Sequence, residues 1–183
     1  MTKLVEPDRE LIYSKTVIEF LTVSNEYCKF LESIEKYFKA EAFTFMQRIL
    51  PLLYLKGTLL PDIDILDDTT ELSPLTEEEY DKIFDLLKAC FGNDEMYWDI
   101  QDQRNFVKDE GIIQLSVAEM LVDIYQDIKN FMEVYQHGNA EAKQNAIYTC
   151  KLNFEDCWGA KLLSSLKVIH SLAYHNVEVK REI

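Results

Sequence analysis

The chain has 183 residues, of which 48% are hydrophobic and 28% are charged, and its formal net charge is −14. This length suffices for one hydrophobic core without a disulfide or a metal, and the hydrophobic fraction excludes an intrinsically disordered chain. Because nucleic-acid binding relies on basic groups that displace counterions, the acidic balance argues against a nucleic-acid partner and against an anionic membrane surface.

Signals for export, membrane insertion and metal binding by cysteine are absent from the sequence. The first seven residues lack the apolar stretch of a secretion signal, and there is no run of about 18 uncharged apolar residues that would span a membrane. The four cysteines contain no Cys-x-x-Cys pair, which favours free thiols over a zinc or redox site. We therefore expect a cytoplasmic protein without a cofactor.

In the first half of the chain, apolar residues recur every three or four positions. This spacing predicts a long helix over 10–33 and a second one from about Lys36. Pro51 lies inside the second helix and predicts a kink or a restart, because proline removes a backbone hydrogen bond and crowds the preceding turn. Gly57 closes this helix, and the acidic segment that follows predicts a loop.

A third helix is predicted to begin at Thr76 and to end at Gly92. The threonine hydroxyl can cap the first turn, where three glutamates lie at the positive end of the helix dipole. The aromatic stretch 93–100 is too short for a long helix, and we interpret it as a turn or a short helix. Strand signals are nearly absent.

The last two predicted helices carry the longest apolar stripes. Ser116 caps a fourth helix that ends at Gly138, and the final helix starts after Asn139 and extends to Tyr174. The polar tail 175–183 is expected to fray. Together the elements predict one all-α domain over 1–183, an antiparallel up-and-down bundle of five or six helices.

Three carboxylates on the fourth helix, Glu119, Asp123 and Asp127, are spaced four residues apart, as in helices that share a divalent cation. Counted from the apolar face, they turn progressively toward solvent, so Asp127 and then Asp123 are expected to contact a neighbouring helix. We expect solvated carboxylates and no metal site. The alternative is a metal-dependent hydrolase that uses Asp123 and Asp127 with Glu155 or Asp156.

Two lysines of the final helix, Lys151 and Lys161, fall inside its apolar stripe. Either their long side chains extend along a partly covered face to reach solvent, or they form ion pairs with Asp123 or Asp127. A desolvated lysine beside a carboxylate in a cleft is also a functional candidate. The candidate cleft or interhelix polar cluster is therefore Asp123, Asp127, Lys151 and Glu155.

Gly159 follows Trp158 inside the final helix, where glycine costs about 0.5–1 kcal/mol relative to alanine. A close helix crossing would offset this cost, and Tyr97 and Trp98 are the expected packing partners. We predict an aromatic cluster of Tyr97, Trp98 and Trp158. Its interpretation is ordinary core packing, and a ligand pocket is the alternative.

Several segments are similar to one protein family. They are Leu52-Leu53-Tyr54, Tyr97-Trp98-Asp99 and the stretch 123–129, with the Trp158-Gly159 pair downstream. Together they resemble DUF5063, a family of uncharacterised bacterial proteins, over most of the chain from the second helix onward. The resemblance implies a bacterial, helical, cytoplasmic protein and brings no activity with it.

The sequence contains no recognisable catalytic set. It lacks a Gly-rich phosphate loop, a nucleophile elbow and the paired Glu-x-x-His motifs of di-iron bundles. We therefore predict a non-catalytic protein that binds a protein partner or forms a homo-oligomer, without a nucleic-acid or membrane partner. The metal-dependent hydrolase is the alternative, so the sequence leaves open whether the protein is an enzyme.

Overall fold

The computed structural model describes residues 6–66, 75–100 and 112–175, and helices dominate these ranges. The helices are α1 (Arg9–Ile12), α2 (Lys15–Leu31), α3 (Lys39–Thr58), α4 (Glu77–Phe91), α5 (Val117–His137), α6 (Ala140–Asn153) and α7 (Gly159–His175). A π-helical segment, Phe154–Trp158, joins α6 and α7 into one continuous helical run. The prediction of an all-α bundle is confirmed. The predicted tail 175–183 lies outside the described residues apart from His175, which ends α7.

A small antiparallel sheet interrupts the helices, so the interpretation of 93–100 as a turn or short helix is wrong for most of that stretch. Strand β1 (Met96–Ile100) pairs with β2 (Ile112–Ser116). Both strands are rich in aromatic and β-branched residues, which fit a pleated, half-buried surface. The paired residues lie 12 to 20 positions apart in the chain, so neither five-residue run is marked by the tight turn of a short hairpin.

The predicted helix starts at Thr76 and Ser116 agree with the structure. The Thr76 hydroxyl accepts a hydrogen bond from the backbone N–H of Glu79, and the Glu79 carboxylate accepts one from the backbone N–H of Thr76. The Ser116 hydroxyl accepts from the backbone N–H of Glu119 at 3.0 Å and donates to the carboxylate of Glu95. Ser116 therefore begins α5 and fixes the chain segment that precedes β1 to it.

Two helix boundaries differ from the prediction. The first predicted helix is divided at Tyr13 and Ser14 into α1 and α2. Helix α3 does not restart at Pro51, whose side chain is exposed. The inner face of α3 is buried on both sides of this proline, and we attribute the continuity of the helix to that packing, which offsets the missing hydrogen bond.

The centre of the core is a close approach of α3 to the end of the π-helical segment. Trp158 is fully buried, and its ring lies 4.6 Å from that of Phe154 and 6.2 Å from that of Phe20, centroid to centroid. A Cβ at Gly57 would lie 2.9 Å from the Trp158 ring, so only glycine permits this approach. The close interhelix crossing expected at Gly159 is therefore found at Gly57.

None of the described helices combines the length and the apolar composition that crossing a lipid bilayer requires.

Candidate functional site

Asp123 of α5 is the centre of a polar contact between three helices. Its carboxylate accepts a hydrogen bond from the Tyr80 hydroxyl of α4 at 2.7 Å. It also forms an ion pair with the Lys161 ammonium of α7 at 2.5 Å. Burial and the neighbouring Asp123 raise the pKa of Tyr80. Burial lowers the pKa of Lys161, but the Asp123 carboxylate outweighs that effect and the net pKa is raised. This arrangement keeps Tyr80 protonated and Lys161 charged, which suits a structural crosslink.

Asp127 lies one turn further along α5 and is only partly accessible. It accepts a hydrogen bond from the Asn153 side-chain amide at 2.8 Å, and burial raises the pKa of its carboxyl group. The cavity beside it, lined also by Thr149 and Cys150, has a volume of 40 Å³. A cavity of this size accommodates ordered water and excludes a metabolite.

Lys151 and Glu155 lie on the α6–α7 run, on a side different from the one that contacts Asp123 and Asp127 of α5. They border an open groove of about 740 Å³ between α6 and the 61–64 segment, and Lys151 forms an ion pair with Asp62. An ion pair with Asp123 or Asp127 was one of two alternatives for each lysine: Lys161 forms such a pair with Asp123, whereas Lys151 pairs with Asp62. The four residues of the candidate polar cluster are divided between two places.

The walls of this groove are held by a buried glutamine. The Gln144 side chain accepts a hydrogen bond from the backbone N–H of Asp8 and donates one to the backbone carbonyl of Asp64, both at 2.7 Å. The oxygen and the nitrogen of its amide therefore each join one chain segment to α6. The lining of the groove includes five carboxylates: Glu6, Asp8, Asp62, Asp64 and Glu155.

No convergence of metal ligands occurs in residues 6–66, 75–100 and 112–175. Within these ranges, no three His, Cys, Asp or Glu side chains approach one another closely enough to hold a metal ion. Asp123 and Asp127 are instead engaged by Lys161 and Asn153. The metal-dependent hydrolase stays a hypothesis to which this geometry adds no support.

The three aromatic residues singled out from the sequence have different environments. Trp158 is fully buried in the core, Tyr97 is half-buried with its hydroxyl 3.5 Å from the Met120 sulfur, and Trp98 is 67% exposed. In the described part of the chain, the ring contacts of Trp158 are with Phe20 and Phe154. The environment of Trp158 is that of a core residue, and Trp98 is a surface residue of the small sheet.

The outward side of α3 carries a surface that was not among the candidate sites predicted from the sequence. We define the outer seam as seven residues that alternate in steps of three and four: Phe38, Glu41, Phe45, Arg48, Leu52, Leu55 and Leu59. Among them Phe38 is 73% exposed, Leu55 51%, Leu59 45% and Leu52 40%. Steps of three and four are typical of a helix that packs lengthwise against another helix.

The amino-terminal half of the outer seam forms a shallow, preformed groove. It has a volume of about 510 Å³, and Phe38, Phe45 and Arg48 are among its lining residues. Phe45 stacks on Phe30 of α2 at 4.2 Å between ring centroids, and Tyr37 contacts the same ring at 5.3 Å. The aromatic floor of the groove is therefore held in place by the core.

The sequence does contain a signal for this surface. The helical apolar spacing of the predicted second helix includes Phe38 and Phe45 together with residues that are buried in α3. Leu52, Leu55 and Leu59 do not fit that spacing, because they lie on the opposite side of the helix. A helix that is apolar on two opposite sides is typically covered on both, which is the pattern that indicates a second contact.

Comparison with known proteins is consistent with this all-α architecture. The chain is similar to the crystal structure of protein BF1032 from Bacteroides fragilis, with 33% sequence identity and a TM-score of 0.80; the match covers 90% of this chain and 96% of that one. No curated protein matches it. Residues 11–175 match the domain of unknown function DUF5063, and the chain therefore belongs to the DUF5063 family.

Proposed function

We propose that this protein is a protein-binding module that docks an amphipathic helix of its partner along the outer seam of α3. The observation that carries the proposal is the exposure of Phe38, Leu52, Leu55 and Leu59, which belong to the three-and-four spacing along one side of α3 and its two flanking residues. Scattered exposed apolar residues are ordinary on protein surfaces, but an aligned row of them indicates a contact surface.

The geometry of the seam favours a helix as the occupant. Its residues extend along the full length of α3, about 30 Å for 20 residues, and the groove between Phe38 and Arg48 is shallow. A partner helix with its own apolar row contacts such a ridge continuously, whereas a small molecule would contact only part of it. Covering the exposed leucines contributes roughly 1–2 kcal/mol for each side chain.

The polar groups of the protein also support binding rather than catalysis. Asp123 and Gln144, which lie at the best-organised polar contacts, use their side-chain atoms to join secondary-structure elements. Catalytic carboxylates and amides need an atom available to the substrate. A docking role requires no such atom.

Site-specific photo-crosslinking in the cells that make the protein tests this proposal. A photoreactive amino acid replaces Leu55 on the outer seam, and a matched variant carries it at Glu78, an exposed position of α4. We expect adducts from position 55 that mass spectrometry maps to an apolar face of a helix. We expect none from position 78, and the Leu52→Asp substitution is expected to abolish those from position 55.

Two results would contradict the proposal. Equal crosslinking from positions 55 and 78 would mean that α3 has no special contact surface. Adducts that map to loops or to small molecules would mean that the seam docks something other than a helix. Circular dichroism of both variants checks that the crosslinker leaves the fold intact.

A further inference from the structure

We infer that the helix docked on the outer seam is α3 of a second copy of this chain, in antiparallel orientation. This inference rests on the proposed helix-docking function and names its partner. It is carried by the order of charges along the seam together with the placement of its aromatic and leucine residues.

The seam contains one acidic and one basic residue, Glu41 and Arg48, and both are exposed. They are seven residues apart, about 10 Å along the helix axis, so they lie on the same side of the helix two turns from each other. Glu41 accepts a hydrogen bond from the backbone N–H of Phe38 at 3.1 Å, and this leaves capacity on its carboxylate. Arg48 has no ion-pair partner among the residues that the structure describes.

An antiparallel pair of α3 helices satisfies these charges. When the two-fold axis passes near Phe45, Glu41 of each copy lies within one helical turn of Arg48 of the other copy, and symmetry creates this pair twice. A parallel pair would instead bring Glu41 next to Glu41 and Arg48 next to Arg48. The sequence of the seam is therefore complementary to itself in one orientation only.

The same arrangement covers the apolar residues of the seam from Phe38 to Leu52, whereas Leu55 and Leu59 extend past the start of α3 in the other copy. About one turn on either side of the Glu41 and Arg48 pairs, Phe38 of one copy meets Leu52 of the other. Phe45, which is stacked on Phe30, lies close to the axis. Such an interface is closed by its two-fold symmetry, so it produces dimers and no filaments.

The expected dimer is of modest strength. One helix face on each copy buries less surface than the standard stable interface of about 800 Å² per partner, and both copies carry a net charge of −14. We therefore expect a dissociation constant in the range of roughly 10–100 µM at physiological salt.

Analytical ultracentrifugation of the purified chain between about 5 and 500 µM measures this equilibrium. We expect a monomer–dimer equilibrium in the unmodified chain. Glu41→Arg and Arg48→Glu are each expected to weaken the dimer at least about tenfold, because each places like charges next to each other twice. The double variant Glu41→Arg/Arg48→Glu is expected to recover the original dissociation constant to within about threefold.

The double variant also separates charge pairing from damage to the fold. Both Glu41→Arg and the double variant lose the hydrogen bond from the Phe38 backbone, so recovery in the double variant excludes that loss as the cause. Glu78→Lys on α4 is the matched control, since it makes a comparable charge change on an exposed helix position away from the seam. This control is expected to leave the dissociation constant unchanged.

The inference would be overturned by a chain that stays monomeric at 500 µM, by single variants that dimerise as well as the unmodified chain, or by a double variant that does not recover. These results are distinguishable from failure of the helix-docking proposal. Photo-crosslinks from position 55 to a helix of a different protein would keep the docking function and exclude only the second copy as the partner.

Discussion

Both sides of α3 carry large apolar residues, but the surroundings of these residues differ. On the inner side, Met46, Leu50 and Leu53 are fully buried against the core, and the helix makes its most extensive contact with α7. On the outer side, Leu52 and Leu55 are about half exposed. Apolar content alone therefore does not decide which side of a helix a fold covers. That choice follows from the close approach of the core at Gly57, and we propose that the remaining apolar side binds a second molecule.

The neighbouring residues Leu53 and Leu52 offer the strongest test of this difference. Leu53 is fully buried and Leu52 is 40% exposed, so Leu53→Ala leaves a cavity in the core and Leu52→Ala does not. We expect Leu53→Ala to lower the free energy of unfolding by about 2–5 kcal/mol and Leu52→Ala by less than about 1 kcal/mol. Urea denaturation at low protein concentration, where the monomer prevails, measures both values.

In self-association we expect the opposite ranking: Leu52→Ala weakens the dimer, and Leu53→Ala does not. Leu52→Ala removes an apolar contact of the proposed dimer, whereas Leu53→Ala does not reach its surface. Comparable losses of unfolding free energy for both substitutions would contradict the assignment of an inner and an outer side.

Gly57→Ala is expected to have the next largest effect, because it acts where the inner side of α3 approaches Trp158 most closely. Alanine usually stabilises a helix by up to about 1 kcal/mol relative to glycine. Here its Cβ would lie 2.9 Å from the Trp158 ring and 3.0 Å from that of Phe154, both of which are buried. We expect a net loss of roughly 1–3 kcal/mol in thermal or urea unfolding.

Thr58→Ala is a suitable control for this substitution, since the neighbouring Thr58 is exposed. It is expected to change stability by no more than about 0.5 kcal/mol. A stabilised Gly57→Ala protein would show that the approach of Trp158 does not require glycine.

The parts of the fold that were predictable from the sequence depend on local chemistry. Thr76 and Ser116 begin helices because a hydroxyl near the first turn satisfies backbone N–H groups, and this needs only neighbouring residues. The β1–β2 pairing was not predictable in this way. Each strand has five residues, and its stability comes from a partner strand whose paired residues lie 12 to 20 positions away, beyond the reach of local patterns.

In the candidate site, too, some contacts were predictable from the sequence and others were not. The pairing of Lys161 with Asp123 follows from two neighbouring helices whose apolar stripes face each other, so it could be anticipated. The pairing of Lys151 with Asp62 depends on the path of the acidic segment, which no periodicity determines. The outer seam was missed because the sequence reveals that α3 is apolar on several sides but does not reveal which side the core occupies.

Asp127→Asn tests the effect of burial on a polar group instead of an apolar one. Because burial raises the pKa of the Asp127 carboxyl, the folded state retains this proton at pH values where the unfolded state has lost it. The stability from this group is therefore fully present below its unfolded pKa and is lost as pH rises through the folded pKa. We expect Asp127→Asn to raise the free energy of unfolding at pH 7 by up to about 1 kcal/mol.

Urea unfolding at intervals between pH 4 and 7 measures this gain, which is expected to shrink toward the acidic end. Asn at this position retains an oxygen that accepts the hydrogen bond from Asn153, so the substitution preserves that contact. A variant that is less stable than the original at pH 7 would mean that the ionised carboxylate is favourable where it lies.

Glu19→Gln is expected to have the smallest effect on stability. It tests the boundary between the inner and the outer side of α3. Lys56 of α3 forms an ion pair with Glu19 of α2 at 2.6 Å, and this hydrogen bond lowers the pKa of Glu19. The folded state therefore releases the proton more readily than the unfolded state. Its contribution to stability is present above the unfolded pKa and is lost as pH falls through the folded pKa.

Glu19→Gln is thus expected to be slightly less stable than the unmodified chain at pH 7 and equally stable in acid. Glu19 is accessible to solvent, so salt should reduce the difference, and a thermal melt in 0 and 1 M sodium chloride at both pH values measures it. Self-association is expected to be unchanged, because the pair borders the inner side of α3 and leaves the seam intact. Weaker association in this variant would place the boundary of the docking surface beyond the seven seam residues.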